Sequence, residues 1–251
     1  MKKILIVTNK PGVGGWMKKI LVVNGFGYGC ALKGLGKMVA APKELFDNPT
    51  DFGLIMFTGG ADVMPELYRE SSPKGMCHVN PDRDRQEAQI FQFAVKHKIR
   101  MIGICRGLQF INVMAGGQMF HDVQNHSGAH HDMVTPRGDA IRVNSYHHQM
   151  VLPPHDSVTI GWTRGHLSKT YYGDFDLPVE RPMVETEAVL FPCYESAGAQ
   201  YHPEMMDEGT DGYKWFRELG EMLLNEEDFA VIVKSYTERT WKNTSQLMHA
   251  D

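Results

Sequence analysis

The chain has 251 residues, 42% of them hydrophobic and 22% charged, which is enough apolar material for a full core and rules out a disordered tail. Twenty-six Lys and Arg against thirty Asp and Glu give a formal net charge of -4, so no cationic excess exists to hold a nucleic-acid backbone. Four cysteines at 30, 77, 105 and 193 make neither a CxxC pair nor a dense framework, which argues against a disulfide scaffold or thiolate zinc site and for a reducing, cytoplasmic setting.

The opening MKKILIV at 1–7 returns as MKKILVV at 17–23. Two interpretations stand: two strands, or one core strand over 20–24 behind a leader at 1–16, with Met17 as the start. Neither apolar run is long enough for a signal peptide or a membrane span. The link NKPGVGGW lacks the Lys-Ser/Thr pair that a phosphate loop needs. Glycines at 25, 27 and 29 mark a turn, Cys30 to Met38 predicts a short helix, and Gly53 to Phe57 predicts a buried strand that stops at Thr58-Gly59-Gly60. After a polar loop over 71–84, the spacing of Ala88, Ile90, Phe91, Ala94 and Val95 predicts an amphipathic helix over 86–98. A strand over 101–104 and a helix over 108–115 follow. Strand, tight turn and helix repeated in this way argue for an α/β three-layer sandwich with a mainly parallel central sheet.

From Phe120 to His155 the chain is His-rich and less regular, with an exposed-looking stretch over 125–139. Strands are expected over 141–144, 158–162, 185–191 and 198–201, and an amphipathic helix over 213–224. Residues 164–181 show no clean period and read as a long excursion or lid. The tail from Ser235 to Asp251 is polar. No break in composition divides the chain, so 1–251 reads as a single domain.

Gly103-Ile104-Cys105-Arg106-Gly107 joins a buried strand to an apolar-faced helix. Small residues two before and two after a nucleophile suit a sharp elbow, because larger side chains would collide across the turn. The elbow lifts the thiol into the crevice at the carboxyl end of the sheet, where the helix start favours a thiolate and a developing oxyanion. A thiolate acting on an acyl group needs a base and a group to orient it. Gln200-Tyr201-His202-Pro203-Glu204 offers both just after a predicted strand.

GICRGLQFINVMAGG at 103–117 with QYHPE at 200–204 resembles the class I glutamine amidotransferases, and more closely the γ-glutamyl hydrolases of the peptidase C26 type, including γ-glutamyl-γ-aminobutyrate hydrolase. FTGGADVMPELY at 57–68, RDRQE at 83–87 and VNSYHHQM at 143–150 carry the resemblance further. It implies a flavodoxin-like fold with a catalytic triad: Cys105 as nucleophile, His202 as general base and acid, and Glu204 as its orienting carboxylate. It assigns the oxyanion hole to backbone N–H groups of Gly60 and Arg106. It places Gly59, Gln109, the backbone around Ser145 and Tyr146, His147 and the Arg106 side chain at the substrate, with His148 beside His147 in the pocket wall. No cofactor is implied.

The chain departs from that pattern at Thr58, where proline is usual, and at Tyr201, where tryptophan is usual and an aromatic wall is expected to persist. The segment 24–57 is short for the hydrolases, and Trp162 to Pro182 is a longer insertion beside the expected site mouth.

Twelve histidines are many for this length, and seven of them lie between His121 and His155. No HExxH or regular cysteine-histidine spacing is present, so they read as loop and pocket histidines and no metal is assigned. Asp82, Asp84 and Glu87 read as a start and brace for the helix over 86–98. The implied chemistry leaves three functions: a self-sufficient hydrolase of small γ-glutamyl compounds or glutamine, a glutaminase that feeds ammonia to a separate synthetase, or an inactive binding scaffold. A homodimer is a further candidate assembly, while nucleic acid and membrane are not expected partners.

Overall fold

A computed structural model of the protein describes residues 18–237. The alternatives for residues 1–17 and the tail beyond Thr237 fall outside these residues. Ser235 to Thr237, expected to be tail, close the last helix, and Tyr236 is buried there.

The first half contains β1 (Lys19–Val23), β2 (Lys37–Val39), α1 (Pro42–Asp47), β3 (Phe52–Phe57), α2 (Pro81–His97), β4 (Arg100–Ile104) and α3 (Arg106–Met114). The second contains β5 (Gln118–Phe120), β6 (Asp122–Val123), β7 (Ser127–Val134), β8 (Ala140–Tyr146), β9 (Met150–Leu152), β10 (Val158–Thr163), β11 (Tyr171–Gly173), β12 (Leu177–Val179), β13 (Thr186–Phe191), β14 (Ser196–Ala199), α4 (Asp211–Asn225) and α5 (Phe229–Thr237). Among the described residues, one nine-stranded sheet runs in the order β2-β1-β3-β4-β14-β13-β10-β7-β8. The pairs from β2 to β14 are parallel, and the sheet continues beyond β14 as an antiparallel extension.

Continuous apolar runs in the parallel strands arise because both faces are covered. Ile20, Leu54 and Ile102 pack with Phe216 and Leu219 of α4 and Ile232 of α5. Their chain neighbours Leu21, Ile55 and Met101 pack with Ile90 and Phe91 of α2 and Leu108 and Ile111 of α3. Alternation along each strand thus feeds two cores and makes the expected three-layer α/β sandwich. None of the described helices is long and apolar enough to cross a membrane.

Four local expectations are corrected. Cys30 to Met38 is not a helix: a 3-10 turn over Phe26–Leu32 ends before Gly34, which takes φ +82°, and the chain enters β2 beside β1. Helix α2 starts at Pro81, inside the expected polar loop, because the Asn80 side chain caps the Arg83 N–H and Pro81 presets the first turn. Residues 127–134 form β7 and bury His131, Met133 and Val134 rather than lying exposed. The 164–181 excursion contains β11 and β12, paired with each other, and β11 also pairs with β6. Asp176 anchors it, accepting hydrogen bonds from the Ser72 hydroxyl at 2.8 Å and the Lys74 N–H at 2.7 Å.

Candidate active site

The turn from β4 into α3 holds Cys105 at φ +51°, a left-handed backbone that a cysteine adopts only where its surroundings impose it. A Cβ on Gly103 would stand 2.3 Å from the Leu108 nitrogen, and one on Gly107 would stand 2.1 Å from the Phe57 carbonyl oxygen. The small residues are therefore sterically required, as the spacing predicts. The Cys105 N–H donates to the Ala199 carbonyl at 2.7 Å, which ties the elbow to the end of β14.

His202 follows β14 by three positions, so the pairing of β14 with β4 brings it to the same sheet edge as Cys105. Its ring interacts electrostatically with the Cys105 thiol, and its Nδ1 lies 2.6 Å from Glu204 Oε1. An ionised carboxylate only accepts, so Nδ1 carries a proton and Nε2 is left for the thiol. Burial pulls the imidazole down, but its interactions with Cys105 and Glu204 outweigh it and push His202 up to about 10. The Tyr28 and Tyr146 rings stand 6.1 and 6.0 Å from the His202 ring. Burial, with Glu204 and Cys105 adding to it, pushes the Tyr28 phenol up to about 12, so it stays protonated at neutral pH.

The Thr58-Gly59-Gly60 turn leaves β3 beside the elbow. Gly60 takes φ +135°, a backbone that favours glycine. Gly59 approaches His202 so closely that a Cβ would stand 2.9 Å from Cε1. Thr58, in place of the usual proline, donates its hydroxyl to the Val23 carbonyl at 2.7 Å. Arg83 straps the turn through Nη1 to the Gly59 carbonyl at 2.9 Å and Nη2 to the Thr58 carbonyl at 2.8 Å. Its Nε pairs with buried Glu87 at 2.8 Å, so α2 braces the turn. A concavity of about 620 Å³ opens beside this strap, lined by Asn24, Asn80, Asp82, Arg83 and Gln86.

Several expected substrate contacts need correction. The Arg106 side chain is turned away into the protein, 1% exposed, and pairs with both Asp84 and Glu87. Only its backbone N–H, at the first position of α3, is left for the crevice. His147 is buried, with Nδ1 2.8 Å from the Gln149 carbonyl, and does not form a pocket wall. Gln109 is buried one turn after Cys105 and donates its amide to the Gln149 carbonyl at 3.2 Å, while the Ser145 hydroxyl donates to the His126 carbonyl at 2.5 Å. Tyr201 is not an aromatic wall but a core residue, donating its hydroxyl to the Gly212 carbonyl at 2.8 Å. His148 lies between Asp62 and Asp122, at 3.1 and 3.2 Å. The reading of loop and pocket histidines fails for His121, His126 and His131, which are also buried.

Sequence reasoning missed Asn144. Its Oδ1 accepts the His202 N–H at 2.8 Å and its Nδ2 donates to the His202 carbonyl at 2.9 Å, fixing the loop that presents the imidazole. A polar residue ending the Ile141-Arg142-Val143 run was the available signal.

The family model described as Peptidase C26 matches residues 50–140, a segment that includes the Thr58–Gly60 turn, Arg83, Glu87 and Cys105. The glutamine amidotransferase-like protein YvdE of Lactococcus lactis is 37% identical over 82 residues, 33% of this chain and 35% of the relative. Protein NtpR of Enterococcus hirae is 29% identical over 85 residues, 34% of this chain and 36% of its own length. The chain thus spans about a third of the length of these curated relatives. A glutamine amidotransferase from Thermotoga maritima superposes with a TM-score of 0.50 at 15% identity, covering 93% of this chain and 96% of that one. PurLQS from the same organism gives a TM-score of 0.51 at 16% identity, covering 83% and 98%. The chain has the class I glutamine amidotransferase fold, and within it residues 50–140 carry the Peptidase C26 pattern.

Proposed function

We propose that the protein is a self-sufficient cysteine hydrolase of the γ-glutamyl amide bond, acting on glutamine or a small γ-glutamyl compound. The observation that carries this reading is the Cys105–His202–Glu204 relay set on the strained elbow. Cys105 Sγ attacks the amide carbonyl carbon, and the carbonyl oxygen takes up charge facing the Gly60 and Arg106 N–H groups. His202 delivers a proton to the departing nitrogen as the C–N bond breaks, leaving a γ-glutamyl thioester. Water gives a proton to His202 and its oxygen to the acyl carbon, the C–S bond breaks, and the thiol is restored. The products are glutamate and ammonia or an amine. Glu204 orients His202 throughout, and the Arg83 strap holds the turn that carries Gly60.

The test is release of glutamate and amine from glutamine, γ-glutamyl-γ-aminobutyrate and γ-glutamyl peptides, comparing the intact protein with Cys105→Ser. Turnover lost in the variant supports the reading, and the preferred amide identifies the leaving group. Folded, intact protein without turnover on the whole panel contradicts it.

A glutaminase that hands ammonia to a separate synthetase is the second reading, favoured by one observation. Phe175, Leu177 and Val179 of the excursion, and Met183 just after it, are all exposed apolar side chains of the kind a partner covers. Glutamine hydrolysis that appears only with a partner would select it.

A further inference from the structure

Behind the loop that carries His202, three imidazoles converge on one carboxylate. His126 precedes β7, His131 lies on it, His147 follows β8, and Glu187 projects from β13. None of the four is more than 6% exposed. Oε1 of Glu187 lies 3.6 Å from His126 Nδ1, 3.7 Å from His147 Nε2 and 3.0 Å from His131 Nε2. Yet neither Glu187 oxygen nor any of these nitrogens makes a hydrogen bond of acceptable geometry. Buried polar atoms left this way are costly unless something else satisfies them.

The neighbouring contacts indicate what that is. His147 Nδ1 faces the Gln149 carbonyl at 2.8 Å, so this nitrogen bears the proton and the Nε2 lone pair points toward Glu187. His126 Nε2 lies 3.2 Å from Glu185 Oε2, which leaves Nδ1 as the ring nitrogen nearer Glu187. A nitrogen lone pair of His147 then faces a carboxylate, an arrangement that a cation between them stabilises. Glu185 is otherwise satisfied, accepting from the Leu167 and Ser168 N–H groups at 2.8 Å each and the Tyr171 hydroxyl at 2.8 Å. The two buried carboxylates carry negative charge that a cation among these rings offsets.

We propose that His126 Nδ1, His147 Nε2 and Glu187 Oε1 bind a divalent transition-metal ion of the zinc class, with His131 Nε2, 3.0 Å from the same Glu187 oxygen, as an outer partner. Candidate ligand atoms of the first three lie within 4.8 Å of one another. Tetrahedral bonds of about 2.0–2.1 Å place ligand atoms about 3.4 Å apart, and the Glu187 separations of 3.6 Å from His126 and 3.7 Å from His147 lie close to that edge. Nitrogen-rich donors with one carboxylate suit zinc or cobalt over magnesium or calcium. Gln149 and Glu185 stand where outer partners of ligating histidines stand. Protein groups on every side make this a closed, structural site, separate from the Cys105 chemistry. Its position serves the candidate active site, because the Glu187 carbonyl accepts the Gln200 N–H at 2.7 Å and the His126 carbonyl accepts the His147 N–H at 3.1 Å.

The experiment is elemental analysis of intact, tag-free protein grown with added zinc and dialysed extensively, with Cys105→Ala and Glu187→Gln alongside. About one zinc per chain is expected in the intact protein and in Cys105→Ala, with loss in Glu187→Gln. Cobalt-grown protein should show visible absorption of tetrahedral strength, and this readout of the unsubstituted chain stands even if Glu187→Gln fails to fold. Background metal with no cobalt band in the folded protein would overturn the proposal and leave protons as the shared cation. Zinc lost in Cys105→Ala, or retained in folded Glu187→Gln, would overturn the assignment of these ligands.

Discussion

Asn144 and His202 exchange two hydrogen bonds, side chain to main chain in both directions, at 2.8 and 2.9 Å. This clamp reaches from the antiparallel extension of the sheet to the loop after β14, fixing where the imidazole stands relative to the thiol. Asn144→Ala removes both bonds. Small misplacements of a reacting group cost about 100-fold, so glutamate release should fall by about that factor while the fold survives. Steady-state kinetics and circular dichroism check this, and unchanged kcat in the folded variant contradicts it.

Arg106 separates a structural from a substrate-binding role. Arg106→Met leaves buried Asp84 without its ion-pair partner and Glu87 with Arg83 as its remaining cation. Breaking such a pair costs about 3–5 kcal/mol, so the urea midpoint should drop sharply. A variant of unchanged stability and raised KM would instead place the side chain at the substrate.

At the elbow, Gly103→Ala forces a methyl to 2.3 Å from the Leu108 nitrogen. Backbone offers no flexible tip that could swing aside, so the cost is at the upper end of overpacking, about 3 kcal/mol. Thermal unfolding measures it, and an unshifted midpoint contradicts the steric account.

The His202 pair gives a pH dependence with a fixed sign. Its folded value of about 10 lies above the ordinary 6.5, so the linked stability is fully present below pH 6.5. That stability declines as pH rises and is lost by about pH 10. Glu204→Gln removes one of the two partners that raise His202, so the alkaline decline should be smaller and complete at lower pH. Melting temperature against pH for both proteins checks this, and superimposable alkaline limbs contradict it.

Much of this architecture was legible because it is written in local spacing. The apolar runs at Leu21, Ile55 and Met101 mark strands buried on both faces, and glycines at 103 and 107 mark an elbow that only small residues can make. What stayed hidden depends on partners far along the chain. Nothing near Arg106 says that its side chain folds back onto Asp84 and Glu87 rather than into the crevice. His126, His131, His147 and Glu187 follow no helical or strand period, and the sheet order β13-β10-β7-β8 brings them together. Tyr201 was misplaced for a related reason: after β14 the side chains diverge, His202 going to the crevice and Tyr201 to the core beneath α4.

The central claim is a covalent γ-glutamyl thioester on Cys105. Mass spectrometry of acid-quenched protein during turnover of the preferred amide tests it most directly. The account predicts a gain of about 129 Da, mapped to the peptide containing Cys105 and absent from Cys105→Ala. Sustained glutamate release by Cys105→Ala, or turnover without any adduct on that peptide, would contradict it.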